Sequence, residues 1–290
     1  MRVGRMLGMA AGLVALGWTL HAFQDPFREY PGWEYSPGDI RTPIPLDWKD
    51  PGEWTFARLM YPSSRIQIDW QFKPLLDWRE GNTNWTIDYP RSDRHLAAAI
   101  RRLTRIQAKS VEQPINLDAD NDVFNYPWLY AVEVGHWALT DSQIAKFREF
   151  LLRGGYFMCD DFHGTAEWED FMATMSKVFP DRPVVDLPNN SPIFHTVFDL
   201  DDRYQVPGAQ YIQTHSLCEK CPTNPYWGTG GDFPRWRAIY DDRGRIMVVI
   251  CHNMDLGDSW ENADDPTYPQ KFSALGIRIG VNYLVYGMTH

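Results

Sequence analysis

Cysteine is scarce in this chain, basic residues are outnumbered, and no long apolar run follows the one from Met6 to Leu20. Each shortage excludes something. Four cysteines in 290 residues are too few to frame a disulfide mini-fold, and a chain of this size builds a core without one. Lys and Arg number 28 against 38 Asp and Glu, a net charge of −10. That balance leaves no electrostatic footprint for nucleic acid and no attraction to anionic lipid. No later segment has the roughly 20 apolar residues that a spanning helix requires. Diagnostic metal-ligand spacing is missing from every single segment. "DADND" (Asp118 to Asp122) opens like a calcium loop, but Val123 stands where the turn needs glycine and Leu129 where the last acid belongs.

What is present begins with a short basic start, Arg2 and Arg5, then the apolar run and Leu20-His21-Ala22. This is the layout of a secretory signal peptide over residues 1–22, and the run is short for a membrane span. The expectation is a secreted or periplasmic protein; the alternative is an uncleaved segment that anchors it to the membrane. Loss of Arg2 and Arg5 would leave 26 basic residues against 38 acidic, a net charge of −12. Residues 23–53 are rich in Pro, Gly and aromatics without any period, and read as an irregular arm. Residues 54–290 read as one α/β domain with a loop insertion at about 205–234. That insertion carries Cys218 and Cys221, a C-x-x-C pair and a candidate local disulfide. Pro222 and the turn residues after it do not open the helix a redox pair requires, and no second ligand pair for zinc lies nearby.

Within the domain, strands and helices alternate. "WTFARLMYP" predicts a first strand and "NWTIDYP" a short second one, with Ser92 capping a helix. Leu96, Ile100, Leu103 and Ile106 form its apolar stripe, and Arg94, Arg101, Arg102 and Arg105 a solvated face. "WLYAVEVGH" is a strand buried on both faces. Thr140 and Gln143 make a capping box for the following helix, which ends at Gly154-Gly155. Tyr156 to Cys159 is the next strand, and Thr165 caps a helix with Trp168, Phe171, Met172, Met175 and Phe179 facing inward. "RPVVDLP" is a further strand, and "RWRAIYDDRGRIMVVICHN" a hairpin turning at Asp241 to Gly244. The last helix, from Pro269 to about Tyr286, places Gly276 and Gly280 for close packing against a sheet. This alternation predicts an α/β layer structure with a mostly parallel central sheet plus a β-hairpin.

In such sheets ligands bind beyond the carboxyl ends of the strands. The predicted strand ends hold Arg65 after the first strand and Glu133 and His136 after the third. Cys159, Asp160, Asp161 and His163 follow the next, and His252, Asn253 and Asp255 close the hairpin. Asp160, Asp161, His163 and His252 are the catalytic candidates, and Arg65, Glu133, His136, Asn253 and Asp255 the ligand-binding ones. Asp161, His163 and His252 are also the candidate ligands of a divalent metal. Cys159 is the weakest candidate. A nucleophile elbow needs small residues two before and two after, and Phe157 and Asp161 stand there. Two adjacent carboxylates also oppose a thiolate.

"FARLMYPSSR", "DYPRSDRHLAAAIRRLTRI", "LLRGGYFMCDDFHGTAEWEDF", "IYDDRGRIMVVICHNMDLGDSWE" and "LGIRIGVNYLVYGMTH" resemble the motifs of the bacterial family called domain of unknown function 4159, over roughly residues 54 to 290. The resemblance implies membership of the class I glutamine amidotransferase-like superfamily and a flavodoxin-like three-layer sandwich. It transfers no mechanism. The Gly-x-Cys-x-Gly elbow and the later His-x-Glu pair of the amidotransferases are both missing here. The expected role is a ligand-binding or cell-envelope assembly module that uses the polar rim. The alternative is a metal-assisted or carboxylate-based hydrolase acting on a glycan or amide. The expected partner is a small molecule or an envelope protein.

Overall fold

The computed structural model describes residues 27–33, 42–63, 77–119, 122–213 and 229–290. Residues 1–22, Arg65, Cys218 and Cys221 lie outside the described residues. Among those described, seven strands form one sheet in the order β2-β1-β3-β4-β7-β6-β5. They are β1 (Ala57–Met60), β2 (Gln113–Asn116), β3 (Trp128–Val132), β4 (Tyr156–Asp160), β5 (Val185–Asp186), β6 (Arg235–Tyr240) and β7 (Ile246–His252). β2, β1, β3, β4 and β7 run parallel, and β6 is antiparallel to β7 and to β5. The mostly parallel α/β sheet and its hairpin follow the sequence pattern.

The helices are α1 (Arg91–Leu103), α2 (Asp141–Leu152), α3 (Gly164–Val178), α4 (Ala209–Gln213), α5 (Leu256–Glu261) and α6 (Gln270–Thr289). Alternate strand residues point to opposite faces. Phe56, Tyr130 and Met158 pack under Leu96 of α1, Trp260 of α5 and Ile279 of α6. Leu59, Ala131 and Phe157 pack under Phe147 of α2 and Phe171 of α3 on the other face. The sheet is therefore buried on both sides, which is why β3, β4 and β7 are apolar up to the last residue of β4 and of β7. No described helix is long and apolar enough to cross a membrane.

Several local expectations are corrected. "NWTIDYP" is not a strand: Asn84–Thr86 is a 3-10 turn fixed by the Thr83–Thr86 hydrogen bonds, and Asp88 takes a left-handed backbone (φ 60°). Helix α1 starts at Arg91 with Pro90 at its cap, so Ser92 is inside it. Arg94 is buried, not solvated. Its guanidinium pairs with Glu112 at 3.0 Å and Glu29 at 3.2 Å and donates to the carbonyl of Thr42. Leu103, at the far end of the stripe, is exposed.

The unforeseen strand β2, "QPIN", lies at the sheet edge, where a proline removes no ladder hydrogen bond from a second neighbour. His163, not Thr165, is the cap residue of α3. Gly276 and Gly280 serve helix packing: a Cβ on Gly276 would meet Ser259 Oγ at 1.9 Å, and one on Gly280 would meet Leu96 Cδ1 at 2.8 Å.

Candidate functional site

Parallel β1, β3, β4 and β7 bring their carboxyl ends to one rim, as the sequence pattern required. Beyond that rim, the strand ends of β4 and β7 remain tied together. Asp161 N–H donates to Met254 O at 2.8 Å and Asn253 N–H to Phe162 O at 3.0 Å. Glu133, Asp161 and Asn253, each directly following a strand or its terminal residue, all have φ between 52° and 62°. Non-glycine residues seldom adopt this conformation, and it persists where the surroundings over-determine it.

Asp160 is wholly buried and turned toward α5. One carboxylate oxygen accepts from Leu256 N at 2.5 Å and Gly257 N at 3.1 Å, and the other from Tyr130 Oη at 2.6 Å. Burial outweighs these hydrogen bonds and pushes its pKa up to about 7. Asp161 enters a cavity of about 480 Å³ together with Asp88, Glu133, Asp255, Asp258 and Glu261. Six carboxylates line that space, with no Lys or Arg among the described residues that line it. Carboxylate oxygens of Asp88, Asp161 and Asp255 lie within 4.8 Å of one another, and so do those of Asp88, Asp258 and Glu261. Asp88 is common to both groups.

Asp255 caps α5, accepting from Asp258 N at 2.8 Å. Desolvation, then the charges of Asp161 and Asp258, raises its pKa well above the carboxylate range. Burial likewise raises Asp258, against a hydrogen bond from Ala209 N at 2.6 Å. Two glycines make this crowding sterically feasible. A Cβ on Gly257 would lie 2.0 Å from Asp88 Oδ2, and one on Gly208 would lie 2.7 Å from Asp255 Oδ2.

The other candidates are placed as follows. His163 Nε2 lies 3.2 Å from Asp161 Oδ1. His252 Nε2 lies 3.0 Å from Gly164 O, and its ring rests against Phe162 and Trp168. Among the described residues, Asp161, His163 and His252 do not form one of the converging ligand groups. Asn253 is buried and works as a clip: its amide donates to Gly230 O and Phe233 O, and its carbonyl accepts from Gly164 N. Cys159 is fully buried with Sγ 3.7 Å from Val249 O, and burial raises its thiol pKa. His136 Nε2 faces Glu133 at 3.1 Å and Glu167 at 3.3 Å.

Asp88, Asp258, Glu261 and Glu167 escaped the sequence reading. Asp258 and Glu261 lie in "LGDSWENADD", just past the hairpin end. Asp88 sits before Tyr-Pro, a turn signal in its own right.

No curated protein matches the chain. The family described as "Domain of unknown function (DUF4159)" matches residues 75–288, a span that takes in Asp88 and nearly all of α6, and the chain belongs to that family.

Proposed function

We propose that the chain is a ligand-binding module whose acidic cavity takes a cation. The occupant is either a hard divalent ion or the positively charged group of a larger ligand. The observation that carries this reading is a lining of six carboxylates with no basic side chain among the described residues. Such a lining repels phosphates and carboxylates and attracts cations, and all-oxygen donors suit hard ions. The strand order β2-β1-β3-β4-β7 supports a flavodoxin-like assignment and is compatible with the amidotransferase-like superfamily, with the cavity at the crevice of the strand ends. The negative cavity argues against an anionic nucleotide there. Arg2, Arg5 and the apolar run to Leu20 support a location outside the cytoplasm, secreted, periplasmic or anchored, in the setting of the cell envelope.

The test is calorimetry and thermal shift of the purified chain with Ca²⁺ and with a protonated diamine. At least one should bind and raise the melting temperature, and the Asp161→Asn and Asp255→Asn variants should lose that response. No response to either probe, or an unchanged response in both variants, would sink the reading.

A carboxylate-based hydrolase is the second reading, favoured by the pairing of Asp255 with Asp161. Burial raises the pKa of Asp255 and favours its neutral form, and Asp161 shares its 4.8 Å cluster. One would donate a proton to a leaving group while the other accepts one from water. Hydrolysis of glycan or amide substrates abolished by either Asn variant would favour it over binding alone.

A further inference from the structure

We propose that Glu133, His136 and Glu167 form a second metal centre, beside the aspartate cavity and sharing Glu133 with its lining, one for a first-row divalent transition metal such as Zn²⁺. Nothing in it depends on the cation reading of the aspartate cavity. The three residues arrive from two elements. Glu133 precedes the 3-10 turn Val134–His136. Its left-handed backbone (φ 52°) still brings its carboxylate to His136, three residues on. Glu167 comes from the first turn of α3. Gly135 lets the two elements meet: a Cβ there would lie 2.5 Å from Glu167 Cβ and 2.7 Å from its Cγ.

The two donor separations at His136 suit a coordination sphere. His136 Nε2 lies 3.1 Å from Glu133 Oε2 and 3.3 Å from Glu167 Oε1. All three residues offer ligand atoms within 4.8 Å of one another. Around an ion with bonds of about 2.0–2.1 Å, adjacent ligands stand about 3.0 Å apart in an octahedron and about 3.4 Å apart in a tetrahedron. Both nitrogen–oxygen separations fall between those limits. An imidazole nitrogen carries at most one hydrogen, yet two carboxylate oxygens face this one. A cation at that point would serve the nitrogen lone pair and both oxygens together.

The surroundings hold the ligands in place. Glu167 Oε2 accepts from His163 N at 2.6 Å, leaving Oε1 toward His136. Tyr61 Oη donates to the carbonyls of Val132 at 2.6 Å and Glu133 at 3.1 Å, which fixes the end of β3. Such outer contacts orient metal ligands. Side-chain exposure is 18% for His136 and 21% for Glu133 but 6% for Glu167, so the centre is open on the His136–Glu133 side. Three protein ligands with an open side are the composition of a site that keeps a position for water or substrate. One imidazole with two carboxylates favours Zn²⁺, Mn²⁺ or Fe²⁺ over Ca²⁺ or Mg²⁺. Glu133 also lines the aspartate cavity, so the centre stands at that cavity's edge.

The test is titration of the purified, metal-stripped chain with Zn²⁺, with the absorption spectrum of the Co²⁺ form as a readout of coordination. One equivalent should bind in the presence of excess Mg²⁺, with visible Co²⁺ bands of nitrogen–oxygen coordination. His136→Ala and Glu167→Gln should each weaken binding by at least about tenfold, as should the positioning variant Gly135→Ala. Asp161→Asn and Asp255→Asn should leave this equivalent in place, which separates its failure from that of the cation reading. Absence of stoichiometric Zn²⁺ in the unaltered chain overturns the proposal. So does undiminished binding in folded His136→Ala and Glu167→Gln proteins.

Discussion

Arg58 provides the sharpest test of how this fold supports its rim. It projects from β1 with a fully buried guanidinium. Its Nε and Nη2 grip both oxygens of Asp93, Nη2 donates to Ser92 Oγ at 3.0 Å, and Nη1 donates to Trp85 O and Ile87 O at 3.1 Å each. One side chain thus fastens the start of α1 and the turn that delivers Asp88 to the cavity. Arg58→Met removes the counter-ion and leaves the Asp93 carboxylate buried. Breaking a buried pair from one side costs about 3–5 kcal/mol. At about 2–4 °C per kcal/mol for a chain of this size, a midpoint of about 4 kcal/mol lowers the melting temperature by roughly 8–16 °C. Arg58→Met combined with Asp93→Leu should recover part of that loss, because no unpaired charge remains. Denaturant unfolding of both proteins, with the m-value checked for constancy, measures the effect. The reasoning fails if the single variant loses less than about 1 kcal/mol, or if the double variant is less stable than the single.

The acidic cavity gives a pH dependence with a definite sign. The folded-state pKa of Asp255 is raised by burial and by Asp161 and Asp258, so the folded chain binds more protons than the unfolded one above about pH 4, and stability from this group falls as pH rises. Asn keeps the cap but not the charge. Asp255→Asn should therefore match the metal-free chain at about pH 4 and exceed its melting temperature by about pH 8; a pH-independent difference would refute this. Asp160, with a pKa of about 7, adds to the same trend, and its replacement by Asn keeps one oxygen for Leu256 N and Gly257 N but turns an N–H₂ on Tyr130 Oη, which must then accept instead of donate. Asp160→Asn should cost roughly 1–3 kcal/mol by chemical denaturation at neutral pH, and a neutral effect would show that the contacts from Leu256, Gly257 and Tyr130 carry no weight. Gly257→Ala drives a methyl into Asp88 Oδ2 and should lower stability by about 1–3 kcal/mol while abolishing cation binding at the cavity. Calorimetry showing unaltered binding would remove Asp88 from the site.

The parallel sheet was legible because burial on both faces writes itself as uninterrupted apolar runs in β3, β4 and β7. Its carboxyl rim followed from the same pattern, and so did the positions of Asp161, Asp255, Glu133 and His136. What stayed hidden depends on partners distant in sequence. Arg94 has the spacing of a solvated helix face, and only the approach of Glu112 and Glu29 makes its burial tolerable. Arg58 sits inside an apolar strand, and nothing local announces Asp93 as its partner 35 residues on. Asp88 was concealed by β-rich neighbours, Thr86, Ile87 and Tyr89. Its turn is dictated by Thr83–Thr86 hydrogen bonding and by Arg58 holding the carbonyls on either side of Thr86. Strand propensity is a weak prior and yields to such tertiary contacts.

The same contacts explain why the carboxylates can gather at all. Like charges at 4–5 Å in a partly desolvated space repel one another strongly. Counter-charge close to the cavity comes from two directions. Arg58 lies behind Asp88, where it is already committed to Asp93, and the first amides of α5 face Asp160 and Asp255. Among the described residues the amides supply only partial charge and Arg58 is already paired, so protons or a bound cation would relieve the remaining repulsion. Raised pKa values at Asp255 and Asp258 are the proton solution, and it weakens as pH rises. A cation replaces those protons and releases them on binding. Occupancy and protonation are thus alternatives at one set of oxygens. The acidity of the surrounding medium would then tune whatever the cavity holds.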